Sequence, residues 1–386
     1  MLILLYVIFV ILVASIIHMW IDHFKAPRLG AVYTDDRELP LLSVLVPARN
    51  EESNIARCIE SLIKQDYPNY EIIIIDDNST DKTFAIAEEY ANKLPNIKVL
   101  KCPEKPPGWL GKSFALHYGV SKAQGKYFAF IDADVTLSTQ ILSKTMWFII
   151  ERKASMISLL PTLVNETFWE NTVQPVMGFM IVLTHPHRLV NNPHSSRVVA
   201  NGQYILFERE AYFKIGGHET IKSELVEDVE LARTVKKHGL PYRIVLALDD
   251  MKTHMYHSLG EIWRGWGKSI YPYIKAGPVK LWLGLLFLFV ICCLPFITIF
   301  PVTYHFIKDF NTTTVSPYLF HTFLLNLTII VIFIVNKAFV RNAMHQKVIY
   351  AVFFPIGFII LFSLFFKRTI DYIRKTGVVW KERIYQ

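Results

Sequence analysis

The sequence predicts an α/β domain with a mostly parallel sheet, tethered by an N-terminal transmembrane anchor and followed by a C-terminal transmembrane helical bundle. Residues 2–21, 281–307, 310–336 and 348–366 of the 386-residue chain carry no formal charge, and each run is long enough to be considered a spanning helix. The stretch between the first run and the others has ordinary globular composition. Within it, short apolar runs alternate with segments of helical spacing, the pattern of a parallel sheet covered by helices.

Residues 1–22 form the expected anchor. No basic residue precedes the apolar core and no small-residue cleavage site follows it, whereas Asp22, Lys25 and Arg28 do. This reads as an uncleaved anchor with its N-terminus outside and the next domain inside. Residues 40–255 are the expected α/β domain. Residues 42–47 are a β-rich run, and residues 51–65 place Ile55, Ile59, Leu62 and Ile63 on one helical face. Residues 71–76, a run of isoleucines ending in acids, predict a central strand covered on both faces. Ser79 or Thr80 is expected to cap a helix through residue 91. Strands at 97–100 and 127–132 follow, separated by a helix over 112–124, with another helix from residue 138. Further on, 204–207 reads as a strand and 226–238 as a helix ended by Gly239 and Pro241.

Three regions point to the membrane. Residues 168–190 are aromatic and apolar, broken by Pro175 and Pro186, and predict an amphipathic segment at the membrane surface. Residues 256–278 mix Trp263, Trp266, Tyr271 and Tyr273 with Arg264, Lys268 and Lys275, which suits an interfacial segment. The bundle over 281–366 contains Pro295, Pro301, Pro355 and Gly357, candidate breaks that could make one run re-entrant. A basic tail over 367–386 is expected on the cytoplasmic side; three full crossings after a cytoplasmic domain would put it outside.

The net charge is +8, but much of the excess lies beside the apolar runs, at Lys337, Arg341, Lys347 and the tail. That placement fits anionic lipid and argues against a nucleic-acid partner. Cys58, Cys102, Cys292 and Cys293 form no CxxC pair, so neither a disulfide framework nor structural zinc is expected. His185, His187 and His194 lack metal-ligand spacing. His254 reads as structural.

Candidate chemistry gathers at predicted strand ends, where ligands of open α/β sheets bind. Asp132 and Asp134, one residue apart past the strand over 127–132, suit a hard cation shared with phosphates, Mg²⁺ or Mn²⁺; the alternative is an acidic surface turn. Asp76 and Asp77 close the isoleucine strand, placed to hold a base or ribose; the alternative is that Ser79 or Thr80 caps the next helix while Asp77 and Asp81 favour its dipole. Glu227 and Asp228 open a helix and read as a general base or as dipole partners. Gly108-Trp109-Leu110-Gly111-Lys112 lacks Walker spacing, yet its turn could aim Lys112 at phosphate.

These stretches, in order, resemble glycosyltransferase family 2 with the GT-A fold: Val46-Pro47-Ala48-Arg49-Asn50-Glu51, Ile75-Asp76-Asp77-Asn78-Ser79-Thr80-Asp81, the Gly108–Lys112 turn, Phe130-Ile131-Asp132-Ala133-Asp134 and Glu227-Asp228-Val229-Glu230-Leu231. The membrane runs and Val379-Trp380-Lys381-Glu382-Arg383 resemble its lipid-glycosylating branch of carotenoid-acid, hopanoid and ceramide glycosyltransferases. The resemblance implies that Pro47, Arg49, Glu51, Asp76 and Asp77 line a nucleotide pocket. It further implies that Asp132 and Asp134 bind diphosphate through Mg²⁺ or Mn²⁺, and that Asp228 is the base of an inverting transfer from a UDP-sugar to a lipid. Many polymerising members carry Q/R-x-x-R-W near the membrane; here Gly265 separates Arg264 from Trp266, which favours a single transfer. A polyprenyl-phosphate glycosyltransferase, a polysaccharide synthase and a non-catalytic membrane scaffold are the alternatives. The sequence leaves the oligomeric state open.

Overall fold

The computed structural model describes residues 1–31, 39–312, 315–374, 378–380 and 383–385. Lys375, Lys381 and Glu382 of the expected basic tail lie outside them. The chain divides into two compact units. One comprises Lys25–Val164 and His185–Met255; the other comprises Met1–Phe24, Asn165–Thr184 and Tyr256–Gln386.

After the apolar helix α1 (Leu2–Lys25), the α/β unit runs β1 (Leu42–Ala48), α2 (Ile55–Ile63), β2 (Tyr70–Asp76), α3 (Thr83–Lys93), β3 (Ile97–Lys101), α4 (Gly111–Val120) and β4 (Tyr127–Ile131). It continues through β5 (Val135–Leu137), α5 (Ile141–Glu151), β6 (Met156–Leu160) and β7 (Thr162–Leu163). Past the segment assigned to the other unit, α6 (Phe168–Thr184), come α7 (His187–Val190), β8 (Tyr204–Glu208), α8 (Arg209–Lys214), α9 (Glu227–Lys237), β9 (Tyr242–Leu246) and β10 (Met251–Thr253).

Seven strands form one sheet in the order β3-β2-β1-β4-β8-β6-β9. Only β8 runs against its neighbours, antiparallel to both β4 and β6. The isoleucines of β2 explain the sheet's centre. Ile72 and Ile74 enter one apolar layer and Ile73 and Ile75 the other, all with no exposed surface. Full burial of an isoleucine is favourable by about 1.5–3 kcal/mol, so this strand anchors both layers. A second sheet of three strands has the order β5-β10-β7. Because β5 begins at Val135, directly after Asp134, the Asp132–Asp134 turn is pinned by strands on both sides.

The other unit holds α1, α6 and five further helices: α10 (Leu259–Ala276), α11 (Pro278–Cys292), α12 (Leu294–Thr312), α13 (Pro317–Ala343) and α14 (Phe354–Ile373). Among the described residues, four helical stretches are long and apolar enough to cross a membrane: Leu2–Lys25, Pro278–Thr312, Pro317–Ala343 and Val348–Ile373. Pro295 and Pro355 lie at helix boundaries within the apolar runs, as candidate breaks should, whereas Pro301 does not interrupt its helix. Pro317 and Pro355 sit in first turns, where a missing N–H costs nothing. The break in the first bundle run falls at Cys293, just ahead of Pro295, while Pro301 lies inside α12. Gly357 does not break α14. It allows close approach to α6, since a Cβ there would stand 2.1 Å from the Thr172 carbonyl oxygen.

Residues 165–184 therefore differ from the expectation of one α/β domain over 40–255. They form an insert whose Val176, Met177 and Met180 join the apolar core of the helical unit. Lys337 and Arg341 differ too. They are 4% and 5% exposed within α13, not headgroup-facing flanks. In the tail, Lys367 and Arg368 both pair with Asp371 on the same helix.

Candidate active site

The sheet's strand order reverses at β1, with β2 and β3 on one side and β4 on the other. Such a switch point opens a crevice at the carboxyl ends of the strands. The β1–β4 ladder stops at Leu45 and Phe130, whereas β1 continues beside β2 to Ala48. Pro47 lies past that stop, on the edge facing the crevice, where its missing N–H breaks no bond to β4.

Two loops frame one side. Asn50 and Asn78, just past β1 and β2, adopt φ of 54° and 56°, a left-handed conformation that asparagine tolerates better than most residues. Asn50 Oδ1 accepts from the Thr80 N–H at 2.8 Å, and the Asn50 N–H donates to Ser79 Oγ at 3.1 Å. The expectation that Ser79 or Thr80 caps α3 is thus corrected. Both serve the neighbouring loop, and Asp81 accepts from the Thr83 N–H at 2.9 Å at the helix start. Arg49 donates to the Asp77 carbonyl oxygen at 2.8 Å, and its guanidinium lies 3.7 Å from the Asp77 carboxylate. Asp76 Oδ2 accepts from the Ser79 N–H, while Oδ1 is buried without a hydrogen-bond partner.

The other side is acidic with one cation at its centre. Lys112, in the first turn of α4, places Nζ 2.7 Å from Asp132 Oδ1 and 3.0 Å from Glu227 Oε1. It also approaches the Gly202 carbonyl oxygen at 3.4 Å. Burial works against the Lys112 ammonium, but the charges of Asp132, Glu227 and Asp228 outweigh it and raise its pKa above the lysine value. A Cβ on Gly202 would lie 3.1 Å from Lys112 Nζ and 3.3 Å from Asp228 Oδ2, so this glycine gives the group its room. Asp228 Oδ1 accepts from the Val229 N–H at 2.8 Å at the start of α9.

Asp134 is strongly perturbed. Burial, then the nearby charges of Asp132 and Glu51, raise its pKa to about 7. Its Oδ1 is buried and has no hydrogen-bond partner. Below the turn, Cys58 is fully buried and its thiol is pushed up to about 12 by burial and then by Asp134 and Asp132. The chain of contacts and fields thus runs from Asp77 and Arg49 through Glu51, Asp134, Asp132 and Lys112 to Glu227 and Asp228. Arg264 belongs to α10 of the helical unit and has an exposed side chain.

Among the described residues, no three His, Cys, Asp or Glu side chains form a ready metal cage. Two carboxylates with one orphaned oxygen do fit a hard cation, because Mg²⁺ and Mn²⁺ commonly take one or two protein carboxylates and fill the remaining positions from phosphate and water. A cation would also relieve the like-charge repulsion that raises Asp134.

The sequence reading missed His218. Its Nδ1 lies 2.8 Å from the Tyr212 hydroxyl, its Nε2 is buried without a hydrogen-bond partner, and burial lowers its pKa to about 3 despite the Glu227 charge. The ring is therefore neutral at physiological pH. A signal was present in Gly216-Gly217-His218. Both glycines have positive φ, and a Cβ on Gly217 would stand 2.4 Å from the Tyr212 ring.

A mostly parallel sheet with one reversed strand and acids at its switch point is the architecture of a GT-A-like α/β fold. The solved structure of mannosyltransferase PcManGT from Pyrobaculum calidifontis, in complex with GDP-Man and Mn²⁺, shares that fold at a TM-score of 0.54 and 15% identity, covering 97% of this chain and 99% of the other. Over residues 43–214, under half its length, the chain matches the glycosyl transferase family 2 profile. It is 26% identical over 237 residues to the 4,4'-diaponeurosporenoate glycosyltransferases of Staphylococcus aureus strains USA300 and bovine RF122/ET3-1. Those matches cover 59% of this chain and 60% of the relatives' length.

Proposed function

We propose that the protein transfers a single hexose from a UDP-sugar, with glucose the expected sugar, to an amphiphilic lipid at the cytoplasmic leaflet of the cell membrane. The transfer inverts the anomeric carbon and depends on Mg²⁺ or Mn²⁺. The observation that carries this reading is the orphaned, buried Asp134 oxygen beside Asp132 at the switch-point crevice. Asp132 and Asp134 would hold the cation, which when bound neutralises charge on the departing diphosphate. The PcManGT structure contains GDP-Man and Mn²⁺, but at that identity it speaks to fold alone. The metal assignment therefore rests on the two carboxylates.

The other residues divide the remaining work. Asp76 Oδ1 and the Asp77–Arg49 pair offer an acceptor and an anchored edge for the uridine. Lys112 ties Asp132 to Glu227, so it fixes the cation-binding turn relative to the start of α9. Asp228 is the general base. It accepts the proton of an acceptor hydroxyl as that oxygen attacks the sugar. A carboxylate acceptor, as the carotenoid-acid relatives' name indicates for them, arrives already ionised and needs Asp228 less. Lys25, the last residue of α1, and Arg28, just past it, support a cytoplasmic catalytic unit.

The test is transfer of radiolabelled UDP-glucose to extracted lipid by the full-length protein in membranes. Asp134→Asn is expected to cut transfer roughly 10³-fold, the several kcal/mol of transition-state charge stabilisation that a metal supplies. Transfer at the wild-type rate would overturn the metal assignment. One phosphate-free glycolipid product is expected; a ladder of sizes, or a phosphate-linked product, would favour the polymerising or polyprenyl-phosphate alternative.

A further inference from the structure

The helical unit contains a cavity of about 260 Å³, lined on most sides by leucine, isoleucine and phenylalanine side chains. Two polar residues of α13, Asn336 and Lys337, line it as well. Both are buried, at 7% and 4% exposure. Lys337 Nζ lies 3.3 Å from the ring centroid of Phe179, 4.4 Å from Phe354 and 5.1 Å from Phe333. Among the described residues, no carboxylate pairs with it. Ring faces attract a cation, but they satisfy none of the three N–H donors of an ammonium. The Trp20 indole N–H donates to Asn336 Oδ1 at 3.0 Å. Since indole nitrogen is a donor only, this contact fixes the amide so that its NH₂ is the unpaired end.

The cavity thus holds donors from two side chains that have no acceptor among the described residues, within walls that are apolar apart from Ser15, Thr184 and Cys292. An ionisable residue inside a membrane bundle normally marks a ligand or a partner. The missing partner has two acceptor atoms, about one negative charge and an apolar tail. A carboxylate matches on each count. A phosphate monoester would bring nearly two charges against one ammonium, and the excess would be costly in an apolar cavity. The mouth is open to such a ligand. Gly284 lines the cavity, a Cβ there would touch nothing, and neighbouring Phe287 is 52% exposed. The volume fits a head group and a short length of chain, not a whole lipid.

We propose that Lys337 and Asn336 form a binding site for the carboxylate of a long-chain amphiphile taken from the bilayer through the gap at Gly284. The site is separate from the catalytic carboxylates, and the proposal does not depend on which group receives the sugar.

The experiment uses full-length protein in phosphatidylcholine nanodiscs, labelled with a diazirine-bearing palmitic acid or with its methyl ester, and adducts mapped by mass spectrometry. In the wild type, acid labelling of the peptides carrying Gly284 and Lys337 is expected to exceed ester labelling at least fivefold. Lys337→Met, which keeps length and apolar contact but removes the charge, is expected to bring that ratio to about one. Gly284→Leu narrows the mouth without displacing a neighbour and is expected to reduce labelling by both probes. Excess palmitate should compete more strongly than excess dodecyl phosphate. Equal labelling by acid and ester in the wild type, an unchanged ratio in Lys337→Met, or stronger competition by the phosphate would each overturn the proposal. None of these results alters the Asp134→Asn test, so the two readings fail separately.

Discussion

Lys112 of the α/β unit is half-buried and Lys337 of the helical unit is buried, and the two are accommodated by different means. Lys112 in the α/β unit is answered by charge, with Asp132 and Glu227 within 3.0 Å of Nζ. Lys337 in the helical unit is answered by three phenylalanine rings and no carboxylate among the described residues. The first arrangement is closed. Removing the cation leaves acids crowded together, so the lysine orders the site. The second is open. Removing the cation strands no opposite charge, so the lysine is tolerated by the fold rather than required by it.

Thermal unfolding of Lys112→Met and Lys337→Met should separate these cases. Breaking a fully buried pair costs about 3–5 kcal/mol. The Lys112 side chain is 32% exposed, so solvent screening reduces the expected loss to about 1–2 kcal/mol. Sugar transfer should fall with it, because Asp132 and Glu227 then repel. Lys337→Met should unfold at or above the wild-type temperature, as replacing a buried charge with an apolar side chain often does. Equal destabilisation of both variants would break the comparison.

A smaller effect tests charge compensation elsewhere in the α/β unit. Burial raises the Glu71 pKa, but hydrogen bonds from the Gln124 N–H, Lys98 and Ser43 outweigh it and hold it below the usual 4.5. A carboxyl depressed in the folded state stabilises above its unfolded value, and that contribution is lost as pH falls through the folded value. Glu71→Gln should therefore be less stable than wild type at pH 7 and lose less on acidification below 4.5. Denaturant unfolding at pH 7 and pH 3.5 measures both; parallel losses would assign no such role to Glu71.

The smallest expected change lies in the loops that frame the crevice. Asp81→Ala removes acceptors for the Thr83 N–H and for the Glu52 N–H at 3.1 Å. The loss should be about 1 kcal/mol, typical of a helix-start acceptor. It should be accompanied by weaker UDP binding, because the Asn50–Thr80 contact loses a neighbour. Unchanged UDP affinity would show that the loop holds its shape without Asp81.

The sequence by itself determined the spans and the order of strands and helices up to β4. Isoleucine runs, helical spacing and charge-free stretches are local signals, and each was realised close to its expected place. Asp76, Asp77, Asp132 and Asp134 were legible for the same reason, since each closes or follows a strand whose pattern is plain. Tertiary structure alone decided four features. Strand β8 inserts between β4 and β6 against their direction, which depends on pairing far apart along the chain. Gly202 and His218 come near Lys112 and Glu227 only through folding, since Gly216-Gly217-His218 signals a tight turn but not what the turn packs beside. Residues 165–184 pack with helices that begin about 75 residues later. Lys337 looked like a headgroup-facing flank of an apolar run, because hydropathy records how much apolar surface a helix has and not which face meets its neighbours; only the packing of α6, α13 and α14 turned it inward.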